Sequence, residues 1–196
     1  MITLGLDTAH KFLVIALIQD NVLIDSVQKE CMKQQSEYLL PEVDKLMSAH
    51  GLQAEDIDEI VITQGPGSYT GVRIAMTFAK VLGSMMNKKV YTLSTLQLYA
   101  GKEDCYVIMD ARAKRVYVGK YQDGIAQMDD TIYTNEQMAS IIESGEKVIG
   151  DLHLFGQEDS YGNLAKNFVL LREQWQPVEN IDILTPVYLK SNEEYL

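Results

Sequence analysis

The chain has 196 residues, 46% of them hydrophobic and 23% charged, with 17 Lys and Arg against 28 Asp and Glu for a formal net charge of −11. That length suits one domain or two small lobes with a buried core, and the composition excludes a disordered or membrane-spanning chain. The acidic balance disfavours a stand-alone nucleic-acid binder, because it repels phosphate, and it suits a partner with a basic surface. Cys31 and Cys105 form neither a metal spacing nor a disulfide framework. The opening Met1-Ile2-Thr3-Leu4-Gly5-Leu6-Asp7 has no leader-like basic and apolar regions, so a cytoplasmic location is expected.

In chain order, three short β-branched runs come first. Ile2–Asp7, 12–18 and 22–27 read as a meander with turns at 8–11 and 19–21. Leu39, Leu40, Val43, Leu46 and Met47 then recur at three- and four-residue spacing and share one helical face. Ser36 is the expected N-cap, with Pro41 as the alternative first-turn marker. Gly51 is the expected residue just past a helix that ends near His50. Ile57–Thr63 reads as a buried strand; a glycine-rich loop and a helix to about residue 87 follow, and 90–93 is another strand. A short helical piece and a polar link over 94–104 mark the expected boundary between lobes 1–103 and 104–196.

The second half opens like the first. Residues 107–110, a turn and 116–121 repeat strand, Asp, turn, strand, with Asp110 and Lys114 falling 103 residues after Asp7 and Lys11. A strand over 126–133, a helix over 136–143, a strand over 147–150 and a last helix over 163–173 follow. The chain closes with Pro186-Val187-Tyr188-Leu189-Lys190 and a polar end. The expectation is a duplicated, two-lobe α/β fold with mixed sheets and a reduced second lobe.

Gly65-Pro66-Gly67-Ser68-Tyr69-Thr70-Gly71 joins a strand to a helix. Glycine there permits positive φ or close backbone packing, and the free N–H groups of a helix start favour an anion. A tight structural turn and a phosphate site are therefore both open. Known phosphate signatures do not fit. Val72 and Arg73 stand where a Walker loop needs Lys and Ser or Thr, the third glycine is one residue late for a dinucleotide fingerprint, and Ser68 is not in a Gly-x-Ser-x-Gly elbow. On the helix, Arg73, Thr77, Lys80 and Ser84 form a polar stripe, and Ile74, Phe78, Val81 and Met85 an apolar one. Ala75, Ala79, Leu82 and Met86 form a second apolar stripe that Val72, Met76 and Gly83 extend. One side can face the core; the other needs cover. Ala75, Ala79 and Gly83 on one line permit close approach of another helix, and Met76 and Met86 can adapt to a partner. Burial within the chain and a protein–protein interface are both open.

The string from Gly65 to Ala75, the opening Leu4-Gly5-Leu6-Asp7-Thr8-Ala9, the segment Asp110-Ala111-Arg112-Ala113-Lys114-Arg115-Val116-Tyr117 and the Pro186-to-Lys190 ending together resemble the TsaB (YeaZ) family over essentially the whole chain. The resemblance implies an ASKHA-type fold, actin-like and ribonuclease H-like, and a role in forming threonylcarbamoyladenosine in tRNA next to the anticodon. It implies a non-catalytic subunit that binds the metal-dependent paralogue TsaD, with the ATPase TsaE engaging the pair. The apolar helix face adds the expectation of a homodimer when alone, and the acidic charge that of only indirect contact with tRNA. The implied interface takes Tyr38, Leu39, Val43 and Met47 from the first long helix, and Val72, Arg73, Met76, Ala79, Lys80 and Gly83 from the helix after the motif.

Within such a fold, Asp7 and Asp110 stand where relatives place acidic or polar groups around a nucleotide. The plainer reading is that each caps its turn. A nucleotide at the junction with TsaD is left open, with no cofactor of the chain's own. His10, His50 and His153 are far apart and make no His-x-x-x-His pair, so no metal is expected. His50 reads as a helix C-terminal partner and His10 as an exposed turn residue. The alternative function is a stand-alone ASKHA-type ATPase or phosphotransferase that uses Asp7 or Asp110 as a metal-linked carboxylate or base. No Ser/His/Asp peptidase arrangement is legible.

Overall fold

The computed structural model describes residues 1–31 and 34–190. Alternation along the strands decides its layers. Strands β1 (Ile2–Asp7), β2 (Phe12–Gln19) and β3 (Val22–Glu30) form the expected antiparallel meander. Leu13, Ile15 and Leu17 of β2 belong to one core, and Val14, Ala16 and Ile18 to another, so the sheet is buried on both faces. β4 (Ile57–Thr63) pairs parallel with β1, and β5 (Lys89–Leu93) parallel with β4.

Helices α1 (Gln35–Ala49) and α2 (Tyr69–Met86) cover one face of this sheet. Leu39, Val43, Leu46 and Met47 of α1 and Val72, Ala75, Met76 and Ala79 of α2 pack on Leu4, Leu6, Ile60 and Ile62. The N-cap position of α1 is Gln34, two residues before the expected Ser36, and Pro41 lies inside the helix on its exposed side. Gly51, at φ +68°, follows the cap residue His50 as expected.

The second sheet repeats the plan. After α3 (Thr95–Ala100), strands β6 (Cys105–Arg112) and β7 (Arg115–Gln122) pair antiparallel. Their turn carries positive φ at Ala113 and Lys114, the twist that a two-residue hairpin requires. The expected strand over 126–133 is instead two short pieces, β8 (Ile125–Ala126) and β9 (Thr131–Thr134), both pairing with β7. After α4 (Asn135–Glu143), β10 (Val148–Gly150) pairs parallel with β6, as β4 does with β1. Ile108, Val116 and Val118 face α4, while Val107, Met109, Ala111 and Tyr117 face inward.

The inward layer is where the two sheets meet. It is filled by α3 and by α5 (Leu164–Leu170), capped by the Asn163 side chain. α5 is shorter than the expected helix over 163–173, because a 3-10 turn at Arg172–Gln174 interrupts it. β11 (Gln176–Pro177) then adds to the edge of the first sheet beside β5. Val178, Ile181 and Leu184 pack on the α2 side of that sheet. The chain from α5 onward thus leaves the second sheet and returns to the first one.

A buried ion pair fixes this return. Arg172 Nη1 and Nη2 lie 2.6 and 3.2 Å from the two carboxylate oxygens of Glu59 in β4, whose side chain is 3% exposed. Thr3 Oγ1 donates to the same carboxylate at 2.7 Å. Such a pair is costly to break on one side, because the survivor is left charged and dry.

Candidate functional site

The glycine-rich segment is held under the first turn of the chain. The Ser68 N–H donates to the Ala9 carbonyl at 2.7 Å. Thr8 Oγ1 donates to the Gly71 carbonyl at 2.7 Å and accepts from the Ala75 N–H at 3.1 Å. Ser68 caps α2 by accepting from the Gly71 N–H at 3.2 Å. Gly65 sits at φ +108°, and a Cβ there would come 2.6 Å from the Val187 carbonyl oxygen. Gly67 lies so close to the Ala9 carbonyl that no side chain fits between them. Pro66, after a cis peptide bond, is buried with them. The Ser68 and Gly71 N–H groups are thus committed to the chain's own oxygens, as the tight-turn reading requires.

Asp7 and Asp110 cap their turns. Asp7 is fully buried; it accepts from the Ala9 N–H at 3.0 Å, Thr63 Oγ1 at 2.5 Å and Tyr99 OH at 3.4 Å. Burial pushes its carboxyl above the usual range, against the pull of the Thr63 and Ala9 hydrogen bonds. Asp110 accepts from the Arg112 N–H at 2.7 Å, the same two-residue step as Asp7 to Ala9. Asp110 stays partly exposed, and its other oxygen is 3.2 Å from Arg112 Nη1.

A cleft of about 700 Å³ opens between these turns, with His10, Lys11, Thr70, Asp110, Asp151 and His153 among its walls. Sequence spacing did not bring these together. His10, expected to be exposed, is 17% exposed and bonds through Nε2 to Asp151 Oδ1 at 2.9 Å. His50 fits its expected place at the end of α1, 3.0 Å from Asp25.

A second concavity, about 640 Å³, runs between α1 and α2 and is apolar. Leu39, Leu40, Ile74, Phe78, Val81 and Leu82 line it, with Tyr69 and Arg73 at one end. Leu40 is 62% exposed, Val81 48%, and Met85 nearby 80%. The expected interface residues divide sharply. Val43, Met47, Val72, Met76, Ala79 and Gly83 are buried against the chain's own sheet, and Leu39 shows the groove only an edge. The small-residue line is filled from within: a Cβ on Gly83 would strike Ile181, and Val90 lies 3.0 Å away. Tyr38 and Arg73 do face outward. Lys29 Nζ lies 3.9 Å over the Tyr38 ring, and the Arg73 guanidinium lies over the Tyr69 ring while its Nε donates to Tyr188 OH at 2.8 Å. Lys80 is tied to the Asp182 carbonyl at 3.1 Å. Among the described residues, the helix face left uncovered is the Ile74, Phe78, Val81 and Met85 stripe together with Leu40. Side-chain size carried that signal, since small residues suit the close-packed sheet side and bulky ones the groove.

Comparison with known proteins agrees with this architecture. The family model described as TsaD, tRNA N6-adenosine threonylcarbamoyltransferase, matches residues 26–147. The tRNA threonylcarbamoyladenosine biosynthesis protein TsaB of Bacillus subtilis is 34% identical over 127 residues, 62% of this chain and 56% of that protein. The protein of the same description from Buchnera aphidicola of Acyrthosiphon pisum is 26% identical over 174 residues, 85% of this chain and 72% of its own length. The chain thus matches little more than half the length of the Bacillus relative. Among solved structures, YeaZ from Pseudomonas aeruginosa superposes with a TM-score of 0.77 at 23% identity, covering 96% of this chain and 99% of that one. That likeness shows the fold, an ASKHA-like α/β arrangement with mixed sheets.

Proposed function

The chain belongs to the family of that TsaD description and stands with its TsaB (YeaZ) members, and from this membership we propose that it serves the formation of threonylcarbamoyladenosine in tRNA as a non-catalytic partner subunit. It binds the catalytic paralogue TsaD through the α1–α2 groove, and TsaE engages the pair. Alone, it pairs with a second copy through the same groove. Contact with tRNA is indirect, and any nucleotide sits at the junction with TsaD. One observation carries this reading: an apolar groove on the outside of an otherwise acidic chain, lined by Leu40, Phe78 and Val81, that no segment among the described residues covers. The placement of Asp7 supports the non-catalytic part, since its carboxylate is enclosed by Thr63, Ala9 and Tyr99 rather than turned toward the cleft. Among the described residues no helix is long and apolar enough to cross a membrane.

Leu40→Asp and Val81→Asp place a charge on exposed groove positions and leave the core intact. Each variant is expected to lose co-purification with TsaD, and dimerisation on its own, while keeping the parent's circular dichroism and Tm. Normal pairing by folded variants overturns the assignment. Binding of Mg-ATP by the isolated chain, lost in Asp110→Ala, would favour the stand-alone phosphotransferase reading instead.

A further inference from the structure

The apolar groove between α1 and α2 ends at a side chain of a different kind. Leu40, Ile74, Phe78 and Val81 are among its walls, and Arg73 with Tyr69 stands at one end. Arg73 is exposed, yet it is held in place. Its guanidinium carbon lies 4.1 Å from the centre of the Tyr69 ring and 5.9 Å from that of Tyr188, and its Nε donates to Tyr188 OH at 2.8 Å. The two rings stack on each other, 5.2 Å apart at 21°. Tyr188 is fixed in turn by its neighbours. The Val187 N–H donates to the Gln64 carbonyl at 2.8 Å, and Lys190 Nζ donates to the Ala111 carbonyl. The segment 187–190 is thus laid across the glycine-rich loop, where it presents a hydroxyl to Arg73.

Both tyrosines are neutral, so they orient the guanidinium without compensating its charge. Other cations of this chain meet carboxylates: Arg112 lies 3.2 Å from Asp110, Arg172 2.6 Å from Glu59, and Lys11 2.9 Å from Asp159. Among the described residues no carboxylate pairs with Arg73, although acidic residues outnumber basic ones by 28 to 17. Stacking and one hydrogen bond remove in advance the rotamer freedom that a long side chain loses on binding. With Nε committed to Tyr188, the terminal Nη pair is the edge that can grip a carboxylate through two parallel hydrogen bonds.

On the reading that this groove receives the partner subunit, we propose that its occupant is a partner helix, apolar on one face, that carries an Asp or Glu at the Arg73 end, and that Arg73 selects and orients that helix. From Arg73 to Val81, α2 advances about 12 Å at the helical rise, so the complementary apolar face is at least about two turns long, with the carboxylate at its end. Seating the helix removes water from the pair and strengthens it. A helix with Lys or an apolar residue at that end leaves the guanidinium dry and unpaired, which disfavours it. The apolar stripe supplies contact area; Arg73 supplies register and choice. Tyr188, which does not line the groove, is a positioning residue behind it.

The test is surface plasmon resonance of the full chain on purified TsaD, at low and high NaCl, with circular dichroism and Tm to confirm that each variant folds. Arg73→Met should weaken Kd by more than about tenfold and Arg73→Glu by more than about a hundredfold. Arg73→Lys should recover only part of the loss, because an ammonium cannot make the paired hydrogen bonds. The association rate of the parent should fall with salt, and that dependence should flatten in Arg73→Met, a change that a packing role does not produce. Tyr188→Phe should weaken Kd by about threefold through loss of orientation alone. A folded Arg73→Glu that binds like the parent overturns the inference; the groove reading survives it if Val81→Asp abolishes binding in the same assay, and falls with it if Val81→Asp binds normally. An unchanged salt dependence in Arg73→Met also overturns it. So does loss of self-association alone with TsaD binding intact, which makes a second copy the occupant.

Discussion

Replacing Arg172 by Ala removes the Nη2 donor and, with it, the Nη1 that lies 2.6 Å from the other oxygen of Glu59, and leaves a carboxylate that is 3% exposed with Thr3 as its remaining side-chain donor among the described residues. Breaking one side of a buried pair costs about 3–5 kcal/mol. The Arg172 side chain is itself 31% exposed, so water reaches part of the space it leaves, and the cost should fall at the lower end, about 3 kcal/mol. For a chain of this size that is a drop in Tm of roughly 6–12 °C. The reporter is built in. Trp175, the only tryptophan, lies 4.3 Å from the Arg172 guanidinium and donates through Nε1 to the Phe168 carbonyl at 3.1 Å. Urea unfolding at pH 7, followed by its fluorescence, gives the free-energy difference directly. The decisive comparison is Glu59→Gln with Arg172→Leu in one chain. If the penalty is an uncompensated charge, the double variant is more stable than Arg172→Ala by more than about 1 kcal/mol. A double variant as unstable as the single, or an Arg172→Ala cost under about 1 kcal/mol, refutes the reasoning.

Two further outcomes follow from the turns. Burial raises the Asp7 carboxyl above its ordinary value of 3.8, so the folded chain holds this proton more readily than the unfolded one. Its contribution to stability is full below 3.8 and declines as pH rises through the raised value. Asp7→Asn should therefore gain on the parent between pH 4 and pH 7 in chemical denaturation, and an equal difference at both pH values would contradict this. Gly67→Ala drives a methyl into the Ala9 carbonyl and should cost about 1–3 kcal/mol. Gly162→Ala, whose added methyl meets only Asn167 Nδ2 at 3.9 Å, should stay within about 0.5 kcal/mol; similar losses at both positions would refute the close-approach argument.

Regular burial made much of the fold readable. The alternation of β1, the continuous apolar runs of β2, β4 and β6, and the period-3.6 faces of α1 and α2 announce themselves, because each element buries enough surface to set its own pattern. The duplicated turn was readable too: Asp7 and Asp110 make the same two-residue hydrogen bond. Short elements were not. β8, β9 and β11 bury too little to impose a period. The direction of α2 could not be read from its wheel alone, because two apolar stripes are equivalent until something covers one. Ile181, about a hundred residues later in sequence, is what meets Gly83, and nothing local announces it. The grouping of His10 and Lys11 with Asp151 and Asp159 is likewise a product of topology, since more than 140 residues separate them.

The late return of the chain to its first sheet has a consequence for biosynthesis. Glu59 emerges from the ribosome long before Arg172, Gly83 before Ile181, and Gly65 before Val187. A nascent chain stalled after the first sheet's β5 would carry a buried-type carboxylate without its cation and a small-residue helix face without its cover. The first sheet therefore reaches its final stability only when residues 172–187 have been translated, so the two sheets mature together rather than one after the other.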